Sequence, residues 1–265
     1  MRIGILGAGK MGEALIEGLA RTGRGAYTVK ASTRSKQSAR EVEKALRVPC
    51  STDNRKLVKE SDVIVLCVKP HQAEAALRAV KSAFKSGKLL VSICAAIQCS
   101  DLRKWSGGKT PVIRTMPNTP CLVNEGITVL APGPGAEEAH VKIAESIFGA
   151  VGRTAIVEEA LMDGATGLSG CGPAYMYLIL ESLSEAGVKV GLPRKTATLL
   201  AAQTMLGSAK MLLDRDAHPA ALKDEVTTPA GCTIDGLMAL EDGGLRSTLI
   251  KAVVAAAKRS ATLKD

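Results

Sequence analysis

Short apolar runs alternate with stretches of helical periodicity through the first half of the chain. Arg2 to Leu6 predicts a buried strand, and Gly12 to Arg21 a helix with Leu15, Ile16 and Leu19 on one face. Further strands are expected at Tyr27 to Ala31, Val48 to Ser51, Asp62 to Val68, Leu89 to Ile93, Val112 to Arg114, Ile127 to Leu130 and Arg153 to Val157. Helices are expected at Ser35 to Leu46, Gln72 to Phe84 and Glu137 to Phe148. The run from Asp62 to Val68 is apolar after its first residue, as a parallel strand covered on both faces requires. Such an order of strands and helices predicts a doubly wound sheet with right-handed crossovers.

The pattern changes after Glu158. Strand signals stop, and helices are expected at Pro173 to Ala186, Pro193 to Leu213, Pro219 to Glu225, Pro229 to Leu240 and Gly244 to Leu263. Proline suits a first helical turn because no amide hydrogen is needed there. The chain therefore reads as α/β: an N-terminal Rossmann sheet over residues 1–157, then an all-helical domain over 158–265. By analogy with other proteins of this plan, the helical domain serves dimerisation.

Composition narrows the function. Apolar residues make up 46% of the 265, enough for two cores, but aromatics are only 2%. Little material is left for stacking single-stranded nucleic acid. Lys and Arg number 35 against 26 Asp and Glu, a net charge of +9. The basic residues are scattered, so they read as a basic surface as readily as an affinity for anions, and no nucleic-acid partner is expected. Seven cysteines form no Cys-x-x-Cys pair, which speaks against a zinc site, and no metal is expected. Their odd number and the absence of a leader pattern at Met1 to Leu6 suggest a reducing interior, the cytoplasm. No apolar stretch is long enough for a membrane span.

The chemistry begins at Gly7-Ala8-Gly9-Lys10-Met11-Gly12, between the first strand and the first helix. Gly7 permits a tight turn, Gly9 lets the backbone approach a pyrophosphate, and Gly12 lets helix and strand pack closely. The helix start offers free amides to the phosphates. In a strand–turn–helix context this pattern predicts dinucleotide binding. An enzyme using NAD would carry an acid about 20 residues on. Here the second strand runs into Ser32-Thr33-Arg34-Ser35-Lys36, with no acid before Glu41. Hydroxyls and cations suit a 2′-phosphate, so NADPH is favoured over NADH, which remains possible. Arg34 and Lys36 could also be plain solvated residues at a helix start. Val68-Lys69-Pro70 ends the strongest strand, where Lys69 is either a cofactor donor or a solvated strand-end lysine. The small residues around Ala95 leave room for a nicotinamide ring.

Three further segments are Arg114-Thr115-Met116-Pro117-Asn118-Thr119-Pro120, Leu168-Ser169-Gly170-Cys171-Gly172-Pro173-Ala174-Tyr175 and Thr227-Thr228-Pro229-Ala230-Gly231-Cys232-Thr233. Together with Val68-Lys69-Pro70, the chain resembles the pyrroline-5-carboxylate reductases from Ile3 to about Lys258. It departs from the family pattern at Ala95-Ala96-Ile97, where Ala-Ala-Gly is common, and at Ala230-Gly231, where Gly-Gly is common.

The resemblance implies NADPH-dependent reduction of a cyclic C=N bond to proline, by a dimer that could assemble further into a decamer. The substrate carboxylate would lie at a helix opened by Pro229, bound by the amides of Ala230, Gly231, Cys232 and Thr233, with the Thr228 hydroxyl helping. Val226 would pack on the substrate ring, and the Thr233 hydroxyl would meet its nitrogen. Asn54 would contact the adenosine, and Lys69, Ala95 and Asn118 would line the nicotinamide side. Two plainer readings stay open, with Thr228 as an ordinary helix cap and Ser169 to Pro173 as a glycine-rich helix break. A β-hydroxyacid dehydrogenase would share the architecture but needs a lysine on the helix after Pro173, which carries none before Lys189. A dinucleotide-binding regulator without turnover would leave the Thr228 to Thr233 segment without a purpose.

Overall fold

The computed structural model describes residues 1–22 and 25–263. Its eight strands form one sheet: β1 (Arg2–Leu6), β2 (Thr28–Ser32), β3 (Cys50–Ser51), β4 (Val63–Leu66), β5 (Leu89–Ser92), β6 (Val112–Pro117), β7 (Gly126–Pro132) and β8 (Gly152–Ile156). The order across the sheet is β3-β2-β1-β4-β5-β6-β7-β8. All pairs are parallel except β6 with β7, which run antiparallel. Only residues 118–125 join those two strands, too few for the helical crossover that a parallel pair demands.

Helices cover both faces. On one face α1 (Lys10–Thr22) and α6 (Glu138–Phe148) bury Leu15, Ile16, Leu19, Ile147 and Phe148 against Ile3, Ile5, Val63 and Val65. On the other, α3 (Asn54–Glu60), α4 (Pro70–Val80) and α5 (Cys99–Trp105) bury Leu57, Leu77 and Leu102 against Leu6, Ile64 and Leu90. Each buried aliphatic side chain contributes about 1.5–3 kcal/mol. The remaining helix here, α2 (Lys36–Leu46), follows β2 and buries Ala39 and Val42. The pattern of the sequence did not announce α3 and α5. At seven residues each they span two turns, too short for a 3.6-residue period to stand out.

After β8 the chain is helical, with a single turn α7 (Met162–Ala165) running into a π-helical turn at Thr166–Gly170. Strands end at Ile156, but the compact units divide later. One unit comprises Met1–Cys171 together with the stretch from Ala255, and the other is Gly172–Val254. The second unit holds α8 (Gly172–Lys189), α9 (Arg194–Arg215), α10 (Pro219–Glu225), α11 (Cys232–Asp242) and most of α12 (Leu245–Ala261).

Helices α8 and α9 approach closely because Gly187 lacks a side chain; a Cβ there would stand 2.7 Å from that of Ala197. Within this unit only Ser184 and Ala197 are buried, while Leu178, Leu199, Leu206, Met238 and Ile250 lie exposed. A helical unit whose apolar residues face outward needs another apolar surface to cover them.

Candidate functional site

The residues expected to hold a dinucleotide all follow the carboxyl ends of parallel strands. Gly7 to Gly12 follow β1, Ser32 to Arg34 close β2, Asn54 follows β3, Val68 to Pro70 follow β4, Ala95 follows β5 and Asn118 follows β6. They share one edge of the sheet. The strand order reverses between β1 and β4, where a crevice forms in folds of this kind. Gly7 adopts φ +94°, and a Cβ on it would stand 2.6 Å from Val68 Cγ1. The amides of Gly7 and Ala8 donate to the Ser32 carbonyl at 3.0 and 2.9 Å, tying the turn to β2. A Cβ on Gly12 would stand 3.1 Å from Ile5 Cγ2, so α1 lies close on its strand. Above Gly9, by contrast, a Cβ would meet nothing within 4 Å. Lys10 and Met11 open α1 beside this space.

At the end of β2, Ser32 is fully buried and its hydroxyl has no partner among the described residues. Thr33 Oγ1 donates to the Ser35 carbonyl, and Ser35 Oγ caps α2 by accepting from the Ser38 amide at 3.1 Å. Arg34 between them is exposed, with no partner among the described residues, and the first turn of α2 carries no acid. An orphaned hydroxyl, open backbone above Gly9 and an uncommitted guanidinium at a helix start fit a phosphorylated dinucleotide.

The ends of β4, β5 and β6 are laced together. The Cys94 amide donates to Ser92 Oγ, its thiol to the Val68 carbonyl at 3.3 Å, and Thr115 Oγ1 to the Ser92 carbonyl at 3.0 Å. Burial pushes the Cys94 thiol up to about 11 and Cys67 higher still, so both stay protonated and unreactive at neutral pH. Lys69 is exposed in extended conformation, and Pro70 opens α4. Ala95 is half-buried, and Ala96 takes the left-handed conformation at φ +62°. His71 is exposed and lines a cleft of about 600 Å³ with Ala95, Ala96 and Trp105.

Asn118 is committed on both sides of its amide. Nδ2 donates to the Ser169 carbonyl at 3.2 Å, and Oδ1 accepts from the Ile127 amide at 3.0 Å.

A buried charge cluster was missed from sequence. Arg114 is 4% exposed and sits 3.6 Å from Glu159 Oε1 and 3.7 Å from Asp163 Oδ1. Glu159 also accepts from the Cys99 amide at the start of α5 (2.7 Å), and Asp163 accepts from Ser260 Oγ (2.8 Å). The signal was available: one arginine inside an apolar strand, and two acids spaced four apart.

The second expected cluster lies in the helical unit, and its geometry corrects the expectation. The helix opens at Cys232, not at Pro229. Thr228 to Gly231 form a tight turn, with the Gly231 amide donating to the Thr228 carbonyl at 3.0 Å. Proline at the second position and φ +57° at Ala230 are what such a turn demands. The Gly231 amide is therefore spent, while those of Ala230, Cys232 and Thr233 have no partner among the described residues. Nor is Thr228 the cap, a place taken by Gly231. A Cβ on Gly231 would stand 2.5 Å from Thr228 Oγ1, so a larger residue there would have to turn the Thr228 hydroxyl aside. Val226 is exposed just before this turn. The Arg215–Glu225 pair, with two contacts at 2.7 and 2.8 Å, ties the end of α10 to α9.

A glycine cradle at the switch point of a mostly parallel sheet, followed by a helical unit, defines a Rossmann-type dinucleotide-dependent oxidoreductase. The family model described as pyrroline-5-carboxylate reductase dimerisation matches residues 159–263, and that described as NADP oxidoreductase, coenzyme F420-dependent, matches residues 2–96. The chain is 43% identical to a pyrroline-5-carboxylate reductase of Arabidopsis thaliana over 100% of this chain and 96% of that one. With pyrroline-5-carboxylate reductase 2 of Homo sapiens it shares 41% identity over 100% of this chain and 84% of that one. The solved reductase of Coxiella burnetii superposes with a TM-score of 0.93 at 35% identity, covering 97% of this chain and 96% of that one. The Plasmodium falciparum reductase, solved with NADP bound, gives 0.86 at 35% identity, covering 100% and 98%. The chain belongs to the pyrroline-5-carboxylate reductase family.

Proposed function

We propose that this protein reduces Δ1-pyrroline-5-carboxylate to L-proline with NADPH, the last step of proline synthesis. The observation that carries the reading is the single sheet edge that gathers Gly7 to Gly12, Ser32 to Arg34, Asn54, Val68 to Pro70 and Ala95, in a chain that matches reductases end to end. NADPH, when bound, supplies the hydride.

The residues of the chain divide the remaining work. Amides at the start of α1 and the open backbone at Gly9 receive the pyrophosphate, and Arg34 with Thr33 receives the 2′-phosphate. The free amides of Ala230, Cys232 and Thr233 receive the substrate carboxylate, with the Thr228 hydroxyl beside them, and Val226 packs on the ring. Thr233 Oγ1 meets the ring nitrogen and relays a proton through water. A protonated C=N bond carries its own positive charge, so orientation matters more than a strong acid. His71 is not needed as a general acid on this account.

Self-association follows from the match to the dimerisation family and from the outward apolar residues of the helical unit. We place the functional boundary between residues 157 and 158, propose a dimer that can assemble further into a decamer, and assign the reaction to the cytoplasm. The last assignment draws on seven free cysteines, which suit a reducing compartment. No helix among the described residues is long and apolar enough to cross a membrane.

The test is loss of nicotinamide absorbance when purified protein, NADPH and pyrroline-5-carboxylate are mixed. Cofactor binding without any such loss would support a dinucleotide-binding regulator instead.

A further inference from the structure

The cations of this chain are scattered along the sequence, but α2 gathers four of them. Lys36, Arg40 and Lys44 are spaced four apart, so they fall within about 80° of one another around the helix axis. Arg47, the C-cap, carries the line one step further. All four are exposed, and none of their side chains has a partner among the described residues. The buried residues of the helix, Ala39 and Val42, lie on another side. Its two acids are engaged elsewhere. Glu41 Oε1 accepts from Gln37 Nε2 at 3.1 Å, and Glu43 Oε1 accepts from the Cys50 amide at 3.4 Å. A surface that serves solubility alone intersperses both signs.

Ser35 caps α2, so the stripe starts beside Arg34 and runs away from it. At a rise of about 1.5 Å per residue, Lys36 and Arg47 are about 16 Å apart along the axis. Successive charges are about 6 Å apart along it, less than the screening length of about 8 Å at physiological salt, so their fields overlap.

We infer that this stripe is an electrostatic guide, which draws NADPH from solution toward Arg34 and does not hold it once bound. Fields of one sign raise the arrival rate of an oppositely charged ligand, and salt weakens the effect. The 2′-phosphate gives NADPH about −1.5 to −2 more charge than NADH, so the guide favours NADPH before any contact forms. The inference rests on the NADPH assignment made in the proposed function and deepens it. Arg34 selects the cofactor by contact, whereas Arg40 and Lys44, one and two turns beyond Lys36, select it by rate of arrival.

The experiment measures NADPH association and dissociation rates separately, by stopped-flow nicotinamide fluorescence on the full chain over a range of salt. Arg40→Gln combined with Lys44→Gln should lower the association rate at least about fivefold at about 0.01 M salt, where the screening length is about 30 Å. The dissociation rate should stay within about twofold of wild type, and the fall for NADH should be less than half as large. At about 1 M salt the screening length is about 3 Å, and variant and wild type should agree. Arg40→Lys combined with Lys44→Arg keeps both charges while changing both side chains, and it should associate as wild type does. The salt dependence of the wild-type rate needs no variant and should be steep.

A dissociation rate that rises while association stays unchanged would overturn the guide in favour of direct contact. Equal association rates in all three proteins at low salt would overturn it outright, as would a wild-type rate indifferent to salt. Wild-type protein that shows these rates with NADPH yet leaves pyrroline-5-carboxylate unreduced would support the guide and overturn the reductase reading, so the two failures are told apart.

Discussion

A methyl group on Gly7 would stand 2.6 Å from Cγ1 of Val68, across the gap between the ends of β1 and β4. That closeness makes the reversal of strand order a usable crevice, because the turn can hug β4 while the amides of Lys10, Met11 and Gly12 at the start of α1 have no partner among the described residues. Gly7 is also held at φ +94°, where an L side chain is strained by about 1–2 kcal/mol. Gly7→Ala should therefore lose stability and bind NADPH at least tenfold more weakly. Isothermal titration would check this, and an unchanged affinity would count against a cradle at this turn.

On the proposed function Arg34 receives the 2′-phosphate, so it should decide between the two nicotinamide cofactors. Its guanidinium is uncommitted among the described residues, and hydrogen bonds to a charged group contribute about 1.5–3 kcal/mol. Arg34→Glu should raise the KM for NADPH about tenfold or more while leaving the KM for NADH within a factor of two. Steady-state kinetics with both cofactors would show it, and an unaltered ratio would refute the phosphate assignment.

Thr233 is the second residue of α11 and half-buried. Thr233→Ala should lower kcat by about tenfold, the loss expected for one positioned hydrogen bond, with little change in NADPH affinity. Thr233→Ser should restore most of the turnover. A serine variant as slow as the alanine one would show that the hydroxyl is not what matters.

Ala230 carries its methyl at φ +57°, a conformation glycine adopts freely. Ala230→Gly should leave the turn intact and stabilise the protein by up to about 1 kcal/mol, the strain relieved less the added freedom of the unfolded chain. Urea denaturation would measure it. A loss of stability would mean the turn differs from the one described.

Asp62 governs a pH effect at the opposite, amino end of the strands. Arg2 beside it, through side-chain and backbone hydrogen bonds, holds the Asp62 carboxyl at about 2, against an ordinary value of 3.8. The folded value lies below the unfolded one, so the pair stabilises the protein above about pH 4 and that contribution fades as pH falls toward 2. The Asp62 side chain is 39% exposed, so screening limits the gain to about 1 kcal/mol or less. Comparing urea midpoints of wild type and Asp62→Asn, the difference should be fully present at pH 5 and shrink steadily as the pH approaches 2. A difference independent of pH would remove the carboxylate from the explanation.

Much of this protein was legible along the chain because the relevant signals are local. Apolar runs marked strands β1 and β4, and the spacing of Gly7, Gly9 and Gly12 marked a turn, since a strand–turn–helix places its own backbone. The lack of an acid around Arg34 could be read from a handful of neighbouring residues. What the chain did not disclose depends on residues far apart in sequence. The antiparallel β6–β7 pair, the spent Gly231 amide, Asn118 held by Ser169 and Ile127, and Arg114 facing Glu159 and Asp163 exist only once the strands have taken their order. Backbone and side-chain polar groups can be satisfied by more than one partner, and burial chooses among them. Local pattern therefore determined which residues could bind ligands, while tertiary packing decided which of their donors remained free to do so.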